Sequence, residues 1–501
     1  MRAALLSLVL LAFAGDAVAE PPARAAFALI IGVNDGIPGL PALRYADDDA
    51  AQYLGLFRAL GADARVLASL DENTARVQPQ AAAEARPPTP AEVDRAVAEL
   101  AADVARARAQ GIDTVLYVVY AGHGDLDDDG RAFLGLHGGR LGGADLLALV
   151  AAIGADRSHL IIDACYADLL VQPRGPGGRR RAFAGFTRGA LPEVPASVGL
   201  LLSTSSGRES HEWEGVQGGI FSHEVRSGLY GAADADGDGA VSYREIAAFI
   251  EQANAAIPNE RFRPDVLVRP PATSAELLAL GTGLDRRIVI APSVQGHYVL
   301  EDSDGVRVLE FHGGAGATTT LVRPPGELAL YLTRVSDDVE YALPAQAVVE
   351  VAALAPATAA AHARGAAHDS FSLLFALPFD AVVVRDFTPH LEVVDEGPTP
   401  LARRRRAGWI ILGVGGATAA SAAIVELAAL ALRSGARDAS QRDVATANHR
   451  IDALNTTAGV LTGVAATAIV GGALLVIWPG APPAAVDVGP GWASVSLSGT
   501  F

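Results

Sequence analysis

Two stretches decide how the chain is read: TVLYVVYAGHG, from Thr114 to Gly124, and HLIIDACYA, from His159 to Ala167. Each opens as an apolar, β-branched run of the kind a strand needs when it is buried on both faces of a parallel sheet. Each then stops abruptly in small residues around one reactive side chain. Those side chains are His123 and Cys165. Between the runs, Gly142 to Ile153 has the character of a helix, giving strand, helix, strand. A right-handed crossover brings both strand ends to one rim of the sheet, the rim where open α/β sheets bind their ligands. A thiol and an imidazole are therefore expected to meet there.

Cys165 is the only cysteine in 501 residues. An intramolecular disulfide is excluded, so this residue is either a small buried hydrophobe or a chemical group. Asp163 and Tyr166 flank it at a strand terminus and a matching His lies upstream, which favours the second reading.

YAGHG followed by DACYA resembles the catalytic pair of the caspase-like cysteine peptidases, the bacterial and metacaspase-type members more than the animal caspases. The resemblance covers Phe27 to Ile250. It takes in FALIIGVN, LRYADDDA (Leu43 to Ala50) and LLSTSSGRESHEW (Leu201 to Trp213). It implies an α/β fold with a mostly parallel sheet flanked by helices, and peptidase action on protein or peptide substrates. His123 and Cys165 would form the dyad, and the backbone N–H groups of Gly124 and Cys165 the oxyanion hole. No organic cofactor is implied. Metacaspase-like enzymes line their primary pocket with acids, one lying two residues before the nucleophile and one in the early helix. Asp163 matches the first position and Asp49 the second. A serine found two residues before the His in that group is Ala121 here, and Arg44 lies near, but not at, the place of the arginine with which animal caspases hold aspartate. Acids in the pocket select a basic partner, so cleavage after Arg or Lys is expected. The plainer role for Asp163 is a strand-end cap. Two other readings stand beside the peptidase: a catalytically silent scaffold, and a cysteine hydrolase acting on a non-peptide acyl bond.

The balance of 39 basic against 57 acidic residues, a net charge of −18, argues against nucleic acid as a partner. The N-terminus combines Arg2, an apolar run from Ala3 to Ala14 and Ala17-Val18-Ala19. That run is shorter than the roughly 20 residues a spanning helix needs, so residues 1–19 read as a signal peptide. A peptidase domain over residues 24–256 follows, with an exposed insertion expected at Val77 to Pro88. After the cysteine comes a Gly-rich loop carrying Arg174, Arg179, Arg180, Arg181 and Arg188, a natural self-cleavage site for an enzyme that prefers a basic residue.

DADGDGAVSYRE, from Asp234 to Glu245, has the layout of an EF-hand loop. Asp234, Asp236 and Asp238 occupy positions 1, 3 and 5, Ala240 offers a carbonyl at 7, Ser242 stands at 9 and Glu245 at 12. This set is expected to hold calcium. A similar start at Asp125, Asp127, Asp129 and Gly130 lacks the final acid and reads as a hairpin turn. Residues 257–284 read as a linker. Over 285–355, short alternating runs separated by Asp-Gly, Gly-Gly and Pro-Gly turns predict a small all-β sandwich with a binding or spacer role. A second linker, 356–406, precedes two apolar segments, 407–432 and 456–478, each long enough to span a bilayer. Their Gly, Ala, Ser and Thr content suits close helix pairing, and 479–501 is left as a tail. The signal peptide predicts an exported, membrane-anchored protein with its catalytic domain outside the cytoplasm. Arg403 to Arg406 before the first span favour the opposite, cytoplasm-facing orientation, since cytoplasmic flanks are richer in Arg and Lys.

Overall fold

The computed structural model describes residues 24–171, 194–203, 212–259, 263–326, 328–358, 373–388, 400–435, 441–477, 484–489 and 492–497. The proposed signal peptide and the Arg-rich loop at 174–188 lie outside them.

The chain enters through β1 (Arg24–Val33), whose apolar run is buried on both faces, and continues into α1 (Ala46–Ala59) and β2 (Asp63–Ala68). Tyr53, Leu54 and Phe57 recur at helical spacing in α1 and pack against the sheet. Next come α2 (Glu72–Val77) and α3 (Pro79–Glu84). The expected exposed insertion is thus a docked helical turn. Val77 and Ala81 are buried, and the Arg86 backbone exchanges hydrogen bonds with Val66 and Ala68 of β2. So few apolar anchors leave no periodic pattern to read. In α4 (Pro90–Ala109), Pro90 takes the first position and the Thr89 hydroxyl accepts the Glu92 amide at 3.3 Å, while the Thr89 amide bonds to the Pro87 carbonyl, so the cap is a simple N-cap rather than a full capping box.

β3 (Asp113–Gly122) leads into a small antiparallel sheet of β4 (Gly124–Leu126), β5 (Ala132–Leu136) and β6 (Gly139–Gly142). At its tip the Asp127 carboxylate accepts the Asp129 and Arg131 amides, at 3.0 and 2.8 Å, which makes this acidic stretch a hairpin turn. Then follow α5 (Gly143–Ile153), β7 (Arg157–Asp163), α6 (Ala167–Val171), β8 (Val198–Ser203), the ribbon β9 (Glu212–Trp213) and β10 (Gly218–Gly219), and α7 (Ile220–Ser227). A π-turn at Gly228–Ala232 carries the chain to β11 (Ala240–Ser242) and α8 (Tyr243–Asn254).

Residues 257–284 are not a plain linker. They supply β12 (Val266–Arg269), which pairs antiparallel with β8, and β13 (Glu276–Ala279), which pairs with β11. Prolines flank VLVR and hide it in the sequence, yet an edge strand tolerates them at its ends. The sheet order is β12-β8-β7-β3-β1-β2, parallel except for β12.

The β module comprises β14 (Arg287–Ile290), β15 (His297–Asp302), β16 (Arg307–His312), β17 (Thr319–Val322), β18 (Leu330–Arg334), β19 (Val339–Leu343), β20 (Val348–Glu350) and β21 (Ala357–Thr358). They form one sheet ordered β17-β14-β20 and another ordered β16-β15-β18-β19-β21. Ile288, Tyr298, Leu309, Phe311 and Leu321 of the module share one apolar cluster with Phe221 and Leu229 and with Phe249 of α8. The second expected linker also contains structure, namely α9 (Ala381–Asp386). Asp380 caps its start by accepting the Val382 and Val383 amides, and Arg244 donates to the Val384 and Phe387 carbonyls at its end.

A separate C-terminal unit contains α10 (Pro400–Gly435), α11 (Gln441–Ile477) and a hairpin of β22 (Ala484–Gly489) and β23 (Trp492–Leu497). Residues 411–434 and 446–471 are long and apolar enough to cross a membrane. The two helices pack closely at Gly415, where a Cβ would lie 2.9 Å from Ile469.

His159 on β7 is buried between Tyr117, whose ring stacks on it at 5.1 Å, and Tyr243, whose hydroxyl lies 2.7 Å from its Nδ1. Burial, with help from Arg157 and Arg24, holds its pKa down at about 3, against an ordinary 6.5. The folded chain therefore keeps His159 neutral over a pH range in which the unfolded chain takes up a proton. Stability is full above that range and declines as pH falls through it. In denaturant melts, His159→Gln should be less stable than wild type at neutral pH and lose less of its midpoint between about pH 6.5 and pH 4.5. Parallel curves for the two proteins over that window would refute this account.

Candidate active site

β3 and β7 lie side by side with Ala121 opposite Asp163. His123 and Cys165, each two residues further on, emerge on the same rim. The segments that carry them touch: a Cβ on Gly124 would lie 2.1 Å from the Cys165 carbonyl oxygen, so this position admits only glycine. Tyr166 adopts a left-handed φ of 60° immediately after the cysteine. A side chain held in that region costs about 1–3 kcal/mol, and such strain gathers where a functional group has to be presented at a fixed angle.

His123 and Cys165 are each 9% exposed, and both line one cavity together with Asp49, Asp163, Glu212 and Gly219. The space is about 30 Å³, room for a water molecule or two and not for a guanidinium side chain. His123 Nε2 lies 2.8 Å from the Pro41 carbonyl oxygen. A carbonyl only accepts, so Nε2 carries the proton and Nδ1 presents its lone pair.

Two of the carboxylates converge on a glycine. Asp163 Oδ2 accepts the Ser222 amide at 3.2 Å and its hydroxyl at 2.7 Å. Asp49 Oδ2 accepts the Gly219 amide at 2.8 Å, and its Oδ1 faces Arg226 at 3.3 Å. A Cβ on Gly219 would lie 2.7 Å from Asp163 Oδ2 and 3.2 Å from Asp49 Oδ2, so bare backbone occupies the space between the two acids. Burial drives the Asp49 pKa well above the usual carboxylate range; Arg226 opposes this and Asp163 adds to it. The third acid, Glu212, accepts the amides of Arg44 and Tyr45, each at 2.9 Å. Burial raises its pKa as well, and those two amides pull it back.

The family model described as Caspase domain matches residues 25–255. Those residues form a caspase domain, within a family of cysteine peptidases. No curated protein matches the chain.

Within the caspase domain, all four side chains singled out in the sequence, His123, Cys165, Asp163 and Asp49, line the same cavity. Gly124 abuts the Cys165 backbone. Glu212 escaped sequence reading, since a lone acid in a polar loop carries no periodicity or spacing signal.

At the other end of α7, carboxylate oxygens of Asp234, Asp236 and Glu245 come within 4.8 Å of one another. Asp238 stands outside this group of carboxylates. Asp238 accepts the Ala240 amide at 2.8 Å, and the Ser242 hydroxyl caps α8 by accepting the Glu245 amide at 3.2 Å. Glu245 in turn accepts the amides of Ala235 and Ser242, and Asp234 those of Gly237, Asp238 and Gly239. Burial lifts Asp234 to about 6 and also raises Glu245. An all-oxygen donor set suits a hard cation.

Proposed function

We propose that the caspase domain is an active endopeptidase that cleaves after Arg or Lys, with His123 and Cys165 as its dyad. The observation that carries this reading is one cavity in which a thiol and an imidazole stand beside three carboxylates. The thiol gives its proton to His123 Nδ1, and the sulfur attacks the scissile carbonyl carbon. The oxyanion is held by the amides of Gly124 and Cys165. His123 then returns the proton to the departing amine, leaving an acyl-enzyme that water hydrolyses. Pro41 keeps the imidazole in the tautomer this sequence needs. Asp163, Asp49 and Glu212 attract the basic side chain, and burial strengthens that attraction by removing competing water. For substrate to enter, Gly219 has to move out from between Asp49 and Asp163. The same dyad would serve a hydrolase of other acyl bonds, but three acids at the site favour a cationic peptide side chain.

The full-length protein should cut Arg and Lys peptides and itself between Arg174 and Arg188, while Cys165→Ala does neither. Asp163→Asn should reduce kcat/KM on Arg peptides by roughly 30-fold or more, as expected for loss of one partner from a buried charge pair. Wild type and Cys165→Ala behaving alike on every peptide would leave the silent scaffold as the answer.

The loop at Asp234 to Glu245 is read as a calcium site, supported by the EF-hand spacing and the convergence of Asp234, Asp236 and Glu245. Calcium would neutralise acids that otherwise repel one another at the end of α7. Added calcium should raise the thermal midpoint of wild type and not of Glu245→Gln; equal shifts would remove the loop as the binding site.

The apolar hairpin is read as a tether that holds the domain outside the cytoplasm, consistent with the export signal pattern at residues 1–19. A reporter inserted near Ser440 should then be cytoplasmic, and labelling of that reporter from outside intact cells would reverse the orientation.

A further inference from the structure

α7 is buried along its whole length, although five of its eight residues are polar or charged. Glu224 accepts from Asn254 of α8, and the partners of the other four fall into two groups. Ser222 and Arg226 hold the cavity-lining acids Asp163 and Asp49. The residues immediately after them, His223 and Ser227, face the β module. There His223 Nε2 lies 3.6 Å from Glu310, and the Ser227 hydroxyl accepts the Glu310 backbone amide at 3.0 Å. Glu310 is itself held by His297 at 2.7 Å and Arg307 at 3.1 Å. Burial alone would raise its pKa, but these cationic and donor neighbours outweigh it and keep the carboxyl well below the usual range.

The module reaches the cavity by a second route. The Arg307 guanidinium sits 5.9 Å over the ring of Trp213, the residue after cavity-lining Glu212. A third contact closes the far end of α7, where a Cβ on Gly231 would lie 2.4 Å from the Thr320 carbonyl of β17. Both elements that carry the cavity's carboxylate contacts, the β9–β10 ribbon and α7, are therefore held from outside by residues of β16.

We propose that the β module is a working part of the peptidase, with Glu310 and Arg307 acting as positioning residues. By clamping α7 and Trp213 they keep Asp49, Asp163 and Glu212 arranged to receive the substrate's basic side chain. This rests on the Arg/Lys reading of the cavity for its kinetic consequence, but not for its structural one.

The test uses the full chain in detergent with two variants that loosen the α7–β16 seam from opposite sides: Glu310→Gln, which removes the carboxylate charge facing His223, His297 and Arg307, and Ser227→Ala, which removes the acceptor of the Glu310 backbone amide. Asp337→Asn, in the exposed Arg334 pair, is the control. Backbone amides from Gly219 to Ser227 should exchange about tenfold faster in both variants, with β15 and β18 unchanged and the control like wild type. On Arg peptides KM should rise about tenfold while kcat stays within about twofold, the pattern of a lost binding arrangement rather than of lost protein. Unchanged exchange over Gly219 to Ser227 in Ser227→Ala overturns the proposal, even if Glu310→Gln unfolds the module. A fall in kcat with KM unmoved overturns it too. If wild type cleaves no Arg peptide, the Arg/Lys reading fails by itself and the exchange data still decide the clamp.

Discussion

The pairing of Ala121 with Asp163 across a parallel ladder is the constraint on which the site depends. Side chains alternate along a strand, so a slip of one residue would exchange Cys165 for Ala164 or Tyr166 at the rim. Leu116, Val118 and Tyr120 on one face of β3, and Val115, Tyr117 and Val119 on the other, are all buried. Either kind of slip would drive one apolar set against the wrong layer. The core thus fixes the register, and the register fixes where thiol and imidazole emerge. Gly124 completes the arrangement, because any larger residue would push the two strand ends apart.

Bringing three carboxylates into one cavity opposes folding, since each loses hydration and repels the others. The chain offsets this differently for each acid. Asp49 has a buried arginine, Asp163 a serine that donates twice, and Glu212 the first amides of the α1 approach. These donors fill the space beside the acids, and the cavity is correspondingly small. On the Arg/Lys reading proposed above, recognition would be an exchange of partners, with the backbone at Gly219 as the piece that moves.

Much of this was legible before any coordinates. His123 and Cys165 could be read because a strand buried on both faces ends conspicuously when it meets small residues, and α4 because Thr89 and Pro90 announce its start. β12 was not legible: four apolar residues between prolines look like loop until β8 offers them an edge. α3 buries only Ala81 and the preceding α2 ends on buried Val77, too few apolar anchors for a period. Glu212 is recognisable only once the fold brings its ribbon to the mouth of the cavity.

The division between caspase domain and β module was also overdrawn in the sequence, and α7 explains why. IFSHEVRS carries one narrow apolar stripe, Ile220, Phe221 and Val225, and read alone its five polar residues would suit a helix with its other faces in solvent. In the structure every residue of α7 is buried, so each polar group has to find a protein partner or remain as a cost. Within the caspase domain Ser222 and Arg226 pair with Asp163 and Asp49; on the module side the Ser227 hydroxyl accepts the Glu310 amide, and His223 lies 3.6 Å from the Glu310 carboxylate without a hydrogen bond to it. Without the module, that side of α7 would lose both its apolar cover and its polar partners. A domain boundary drawn where the strand pattern changes therefore passes through a shared core, and the helix that holds the pocket acids is packed against both parts.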